Sequence, residues 1–126
     1  MSGLKTAAIT VLALLASPLH ASMALDYPKE FAVCAGRYSA MMEHAWLMQS
    51  AEADSYERMR ETFITLVEAI DEGPGSVRFH RRIDAKFAQA SLLHLATFSS
   101  EPAVARRAEQ QVEAQLAFCR GLVLGG

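Results

Sequence analysis

The chain has 126 residues, of which 52% are hydrophobic and 21% are charged. That length fits one domain with a modest core, and the composition excludes a disordered chain. The formal net charge of -2 supplies no strong positive field, so we expect no nucleic-acid partner.

The beginning of the chain is typical of an export signal. A single lysine precedes the apolar run TAAITVLALLA, and the small residues that follow predict cleavage after Ala21 or Ala24. The run is shorter than the roughly 20 apolar residues of a spanning helix, and Pro18 breaks it, so we expect no permanent membrane anchor. We predict a signal peptide over residues 1–24, a single helical domain over 25–126, and export, to the periplasm rather than the extracellular space.

Four helices are predicted in the remainder of the chain, because apolar side chains recur there at three- and four-residue spacing. The first helix begins near Pro28, and the turn GPG at residues 73–75 ends the second. The third begins near Ser76, and Pro102 lies in the first turn of the fourth. Because the connections are short, we predict an all-α fold, an up-down-up-down four-helix bundle.

Each predicted helix has an apolar stripe that we expect to face the core. The second and fourth stripes include Phe63, Val67, Ala108, Val112 and Leu116. The stripe of the third helix is the most aromatic, and it consists of Phe79, Ile83, Phe87, Ala90, His94 and Phe98.

The two cysteines predict a structural link. Cys34 lies near the start of the first helix, and Cys119 lies near the end of the fourth. In an up-down-up-down bundle these two helix ends lie at the same end, and both cysteines follow the core-facing stripes. Paired cysteines in an exported chain also favour a bridge. We therefore predict one disulfide joining helices 1 and 4, rather than a catalytic or ligand-binding cysteine.

A cofactor site is the main alternative use of the bundle interior. His94 lies in the middle of its apolar stripe, where an axial ligand of a non-covalent haem or a metal would lie, and Met41 is a thioether candidate. The outline resembles the small four-helix cytochromes of bacteria, but their C-x-x-C-H attachment motif is missing, so we reject covalent haem. A histidine among apolar residues is more often a core residue, and we therefore expect no cofactor.

Catalytic and metal-binding signatures are missing from the sequence. It contains no glycine-rich phosphate loop, no G-x-S-x-G elbow, no H-E-x-x-H motif and no cluster of Cys and His at ligand spacing. We therefore expect no enzymatic activity and no metal site.

A basic cluster near the start of the third helix is the first candidate binding feature. Its members are Arg78, Arg81, Arg82 and Lys86. One interpretation is pairing with Asp71 and Glu72 across the preceding turn. The other is a site for an anionic ligand or partner.

The outer side of the first helix is the second candidate. Gly36 and Ala40 have small-x-x-x-small spacing, lie roughly opposite the predicted core stripe, and are flanked by Leu47. They predict a homodimer or a protein partner, unless this helix is more buried than a regular bundle implies.

The sequence thus predicts an exported small helical protein with a structural or protein-binding role. The alternative is a small-ligand or cofactor carrier that uses the bundle interior around His94.

Overall fold

The computed structural model describes residues 24–125 of the chain. Within that range lie four helices and no strand, which confirms the all-α prediction: α1 Tyr27–Leu47, α2 Ala53–Ile70, α3 Gly75–Phe98 and α4 Pro102–Leu124. None of the four is apolar over a length that could cross a bilayer. The predicted signal peptide lies outside the described residues up to position 23.

Two of the helices begin with residues that suit a helix N-terminus, namely a capping aspartate and first-turn prolines. The Asp26 carboxylate accepts a hydrogen bond from the backbone N–H of Lys29 at 3.2 Å, and so satisfies one free donor at the start of α1. Pro28 lies in the first turn of α1, and Pro102 begins α4. These features fix where two of the four helices begin.

The predicted disulfide is confirmed. Cys34 of α1 is bonded to Cys119 of α4, with the two Cα atoms 5.7 Å apart, and both side chains are fully buried. The bond spans a sequence separation of 85 residues. In the chain-entropy account, closing a loop of that length stabilises the fold by about 4–5 kcal/mol.

α1 is the central helix. Every residue from Phe31 to Met42 is buried or half-buried, because α2, α3 and α4 all contact this helix. On the side of α2, the rings of Phe31 and Tyr38 lie 5.9 and 5.8 Å from the ring of Phe63. The core therefore surrounds one helix instead of lying between four equivalent ones.

Gly36 brings α1 and α3 into close contact. A Cβ atom placed on Gly36 would lie 2.1 Å from the carbonyl oxygen of Arg82 and 2.9 Å from the Cβ of Ala85. Ala40, one turn further along α1, is also buried. The expectation that Gly36 and Ala40 lie on an exposed outer side is wrong, because α1 is packed all round. In this packing they are not available to a homodimer, whereas Leu47 stays 70% exposed.

α3 turns a different face to the core from the one that its stripe predicts. Its buried side chains are Gln89 and Leu93. Phe79, Phe87 and Phe98 are instead 52%, 66% and 54% exposed. The expectation that the aromatic stripe of α3 faces the core is therefore wrong.

The close contact at Gly36 gives the physical reason. The backbone of α1 approaches the Arg82 carbonyl and the small side chain of Ala85, and an aromatic ring at that position would need several ångströms more. The side of α3 that carries the small Ala85 therefore packs against α1, and the side that carries the phenylalanines faces solvent.

α2 and α4 bury the stripes that their spacing predicts. Phe63 and Val67 are buried in α2, and Ala108, Val112 and Leu116 are buried in α4 beside Cys119. Both helices bury the side expected from periodicity: α2 packs against α1, and α4 packs mainly against α3 and is linked to α1 by the disulfide.

Candidate binding surface

The most unusual feature of the described surface is one side of α3. We call it the outer face, and it consists of Phe79, Ile83, Phe87, Ala90, His94 and Phe98. At about 100° per residue, the centre of this face lies roughly 110° around the helix from the buried Gln89 and Leu93. Ile83 is half-buried and the other five are exposed. The face contains no lysine, arginine, aspartate or glutamate.

His94 lies on the outer face and not in the interior. It is exposed, and its ring centroid lies 5.2 Å from that of Phe98. The expectation that His94 lies in the bundle interior is therefore wrong, because its side chain is exposed, whereas ligand binding at His94 stays a prediction.

Met41, the other predicted cofactor ligand, lies elsewhere. It is buried, and its Sδ accepts a weak hydrogen bond from Nε2 of Gln89 at 3.7 Å. It does not line the cleft at His94. Across residues 24–125, no group of three or more His, Cys, Asp or Glu side chains is placed to hold a metal ion.

A cleft of about 210 Å³ connects the outer face to the end of α1. His94 and Phe98 line it from α3, and His44 and Leu47 line it from α1. Nε2 of His44 lies 3.2 Å from Oγ1 of Thr97, within hydrogen-bond distance. Because pockets for small ligands usually hold about 300–1,000 Å³, this cleft is small for a cofactor. It extends the apolar surface onto Leu47.

Two cations of the predicted basic cluster have intramolecular partners. Nη1 of Arg78 donates to the carbonyl oxygens of Asp71 and Gly73, each at 3.1 Å, and lies 3.6 Å from the Asp71 carboxylate. Lys86 forms an ion pair with Glu43 of α1. The interpretation of Arg78 as a partner of Asp71 across the turn is therefore confirmed.

The other two cations point in different directions. The guanidinium of Arg82 lies 5.7 Å from the centre of the Phe79 ring, which is a cation–π distance. Arg81 lines a second cleft, between α1, α3 and α4, together with Arg37 and Asp84. Anion or partner binding by Arg81 and Arg82 stays a prediction.

Arg37 is the most electrostatically perturbed of the cations at that second cleft. Burial lowers the pKa of its guanidinium, and the nearby Glu30 carboxylate offsets part of that effect. Its Nη1 lies 3.8 Å from Sγ of Cys119, so its side chain packs over the disulfide. Arg37 therefore has a structural role beside the bond.

Gln89 is a buried polar residue that the apolar spacing of the sequence does not predict. It is 1% exposed, and its Oε1 has no hydrogen-bond partner among the described residues. A buried acceptor without a donor costs about 1–3 kcal/mol. The signal that could have found it is the small Ala85, one turn earlier, which marks the side of α3 that can approach Gly36.

The fold and this surface define a class: a small, disulfide-linked, all-helical protein with an exposed aromatic face. Comparison of the chain with protein-family models, curated proteins and solved structures found no match.

Proposed function

We propose that this protein is exported to the periplasm and binds a protein partner through the outer face of α3. The observation that carries the proposal is the exposure of Phe79, Phe87 and Phe98 on one side of a single helix. Soluble proteins rarely expose large contiguous apolar patches, and those they do expose often mark interaction sites. Aromatic side chains are also enriched in protein interfaces.

The charge around the outer face favours a protein over an anionic surface. Binding to anionic lipid or nucleic acid would use a row of free lysines and arginines. Here Lys86 is paired with Glu43, Arg78 with Asp71, and Arg82 lies over Phe79. An interface with a largely uncharged centre is typical of protein partners.

Export is supported by the leader pattern and by the disulfide, since such bonds persist mainly in oxidising compartments. It is tested by the intact mass of the protein recovered from the periplasm of its host. The expected mass corresponds to a chain that begins after Ala21 or Ala24, two mass units lighter than its reduced form. A full-length chain recovered only from the cytoplasm would contradict export.

The up-down-up-down connectivity is part of the same proposal. The Phe31 ring lies 5.9 Å from Phe63, and the Tyr38 ring lies 6.3 Å from Tyr56. Later residues of α1 thus meet earlier residues of α2, as antiparallel neighbours do. Distances between spin labels placed on the helix ends would test the remaining connections.

Partner binding is tested by photo-crosslinking in the native host. A photoreactive phenylalanine analogue replaces Phe87 on the outer face or, as a matched control, Glu109, which is exposed on α4. We expect a discrete adduct from position 87 and none from position 109. Equal labelling at both positions, or no adduct at position 87, would contradict the proposed surface.

A small-ligand carrier is the second candidate function, and the cleft with His44 and His94 is its support. Titration with haem, followed by absorption spectroscopy, separates the two. The carrier requires a stoichiometric spectral change that the substitution His94→Ala removes. We expect no such change, because the cleft is small and open.

A further inference from the structure

We propose that the partner of the outer face is a second copy of this chain, with α3 packed against α3 in antiparallel orientation. This inference rests on the proposed binding function and names the occupant of its surface. A twofold-symmetric contact uses the same patch on both copies, so the patch must be complementary to itself. The outer face satisfies that condition in its spacing.

The spacing of the outer face is the same in both directions along the helix. Its six residues are separated by 4, 4, 3, 4 and 4 positions. A twofold axis midway between Phe87 and Ala90 therefore places each member of the face opposite another member. The face is about 28 Å long at 1.5 Å per residue, enough for a helix-to-helix contact.

Two of the three kinds of pair that this axis creates match in size or chemistry, and the third places the half-buried Ile83 opposite His94. Phe87 of each copy lies opposite Ala90 of the other, which puts a large side chain over a small one on both sides of the axis. Phe79 lies opposite Phe98, which brings two aromatic rings together at each end. Because the face has no full charge among these residues, the pairing places no like charges in contact.

The exposed area is consistent with a dimer. Taking about 200 Å² for a whole phenylalanine, the three exposed rings offer about 340 Å² per copy, or about 680 Å² for two copies. Stable interfaces bury at least about 1,200 Å² in total, so the phenylalanines alone supply more than half. Leu47, which is 70% exposed and lines the cleft beside His94 and Phe98, extends the patch.

The first test is the molar mass of the exported protein at about 100 µM, by light scattering coupled to size exclusion. We expect a dimer for the wild type and at least roughly 30-fold weaker association for Phe87→Glu. The control Phe118→Glu makes the same change on α4, where the ring is 39% exposed, and should stay dimeric. Circular dichroism first establishes that both variants are folded.

A second test checks the register without removing the central ring. Chains carrying Phe79→Cys and chains carrying Phe98→Cys are mixed and mildly oxidised. We expect a mixed disulfide between position 79 of one chain and position 98 of the other, at a higher yield than in either variant alone. An equal yield in the mixture and the separate samples would overturn the antiparallel register.

The outcomes also separate this inference from the proposed function. A monomeric wild type that gives an adduct with a different protein from position 87 would overturn the dimer and leave the binding surface intact. A monomer without any adduct would overturn both. A dimer that Phe87→Glu does not weaken would overturn α3 pairing.

Discussion

α3 packs along the central helix, and α4 packs mainly against α3; both carry a regular apolar stripe, yet only α4 buries its stripe. In α4, Leu116 and Val112 lie in the core beside the disulfide. In α3, the corresponding aromatic stripe is exposed, and Gln89 is buried in its place. The two helices therefore differ in what decides their orientation.

The difference shows that the spacing of apolar residues predicts a helix but does not determine which side of that helix faces the core. α4 is linked to α1 through Cys119, which lies on the apolar stripe of α4. The disulfide and the burial of apolar side chains therefore both turn the same side of α4 toward the core. α3 approaches α1 most closely at Gly36, and only a side of α3 with small side chains, such as Ala85, fits there. Large side chains then remain outside, where a partner can cover them.

Removing the disulfide should have the largest effect on stability. We expect the double variant Cys34→Ala, Cys119→Ala to lose about 4–5 kcal/mol of unfolding free energy, because an 85-residue separation is no longer closed in the unfolded chain. Urea unfolding measures the loss. Hydrogen exchange should then be faster in α4 than in α3. Equal protection of the two helices would contradict the claim that the disulfide holds α4 in place while the contact at Gly36 holds α3.

A matched pair of truncations tests the comparison directly. Leu116→Ala in α4 should cost about 3 kcal/mol, because it leaves a cavity in the core. Phe87→Ala in α3 should change stability by at most about 0.5 kcal/mol, since its ring is exposed. Both values come from urea unfolding at concentrations where the protein is monomeric. A larger loss for Phe87→Ala would mean that the aromatic stripe is buried after all.

Two glycine substitutions test the contact that orients α3. Gly36→Ala should cost about 1–3 kcal/mol, because its Cβ would overlap the Arg82 carbonyl and force the helices apart. Gly121→Ala in α4 meets nothing within 4 Å and should raise stability by up to about 1 kcal/mol. Thermal unfolding of both variants checks the signs, and a neutral Gly36→Ala would remove our reason for the rotation of α3.

The smallest effect concerns the buried amide. Gln89→Leu should stabilise the fold by about 1 kcal/mol, because it removes an acceptor that has no partner among the described residues and gives up only a weak bond to Met41. Gln110→Leu, at an exposed position on α4, is the control and should leave stability unchanged. A destabilised Gln89→Leu would indicate that the amide is satisfied in solution.

Much of the fold could be predicted from the sequence. Four helices, the buried sides of α2 and α4, and the Cys34–Cys119 bond follow from apolar spacing, prolines, glycines and two cysteines. These signals are local, or depend on a single pair of residues. The leader pattern is of the same kind, but it falls outside the described residues.

The candidate site could not be located in the same way, because it depends on how two helices approach each other. Small residues at Gly36 and Ala40 predict close contact, yet they do not say whether the neighbour is α3 or another chain. Only the position of Ala85 against Gly36 resolves this. The aromatic residues of α3 form one continuous face, as their spacing predicts, and the exposure of that face follows from the contact at Gly36.

The separation of the two cysteines along the chain also delays formation of the disulfide during synthesis. A ribosome adds about 5–20 residues per second, so the Cys34 thiol waits about 4–17 seconds before Cys119 has been synthesised. During that interval the disulfide cross-link between the central helix and α4 cannot form. A nascent chain of this protein therefore carries a free thiol at Cys34, which in the finished molecule has become half of a fully buried disulfide.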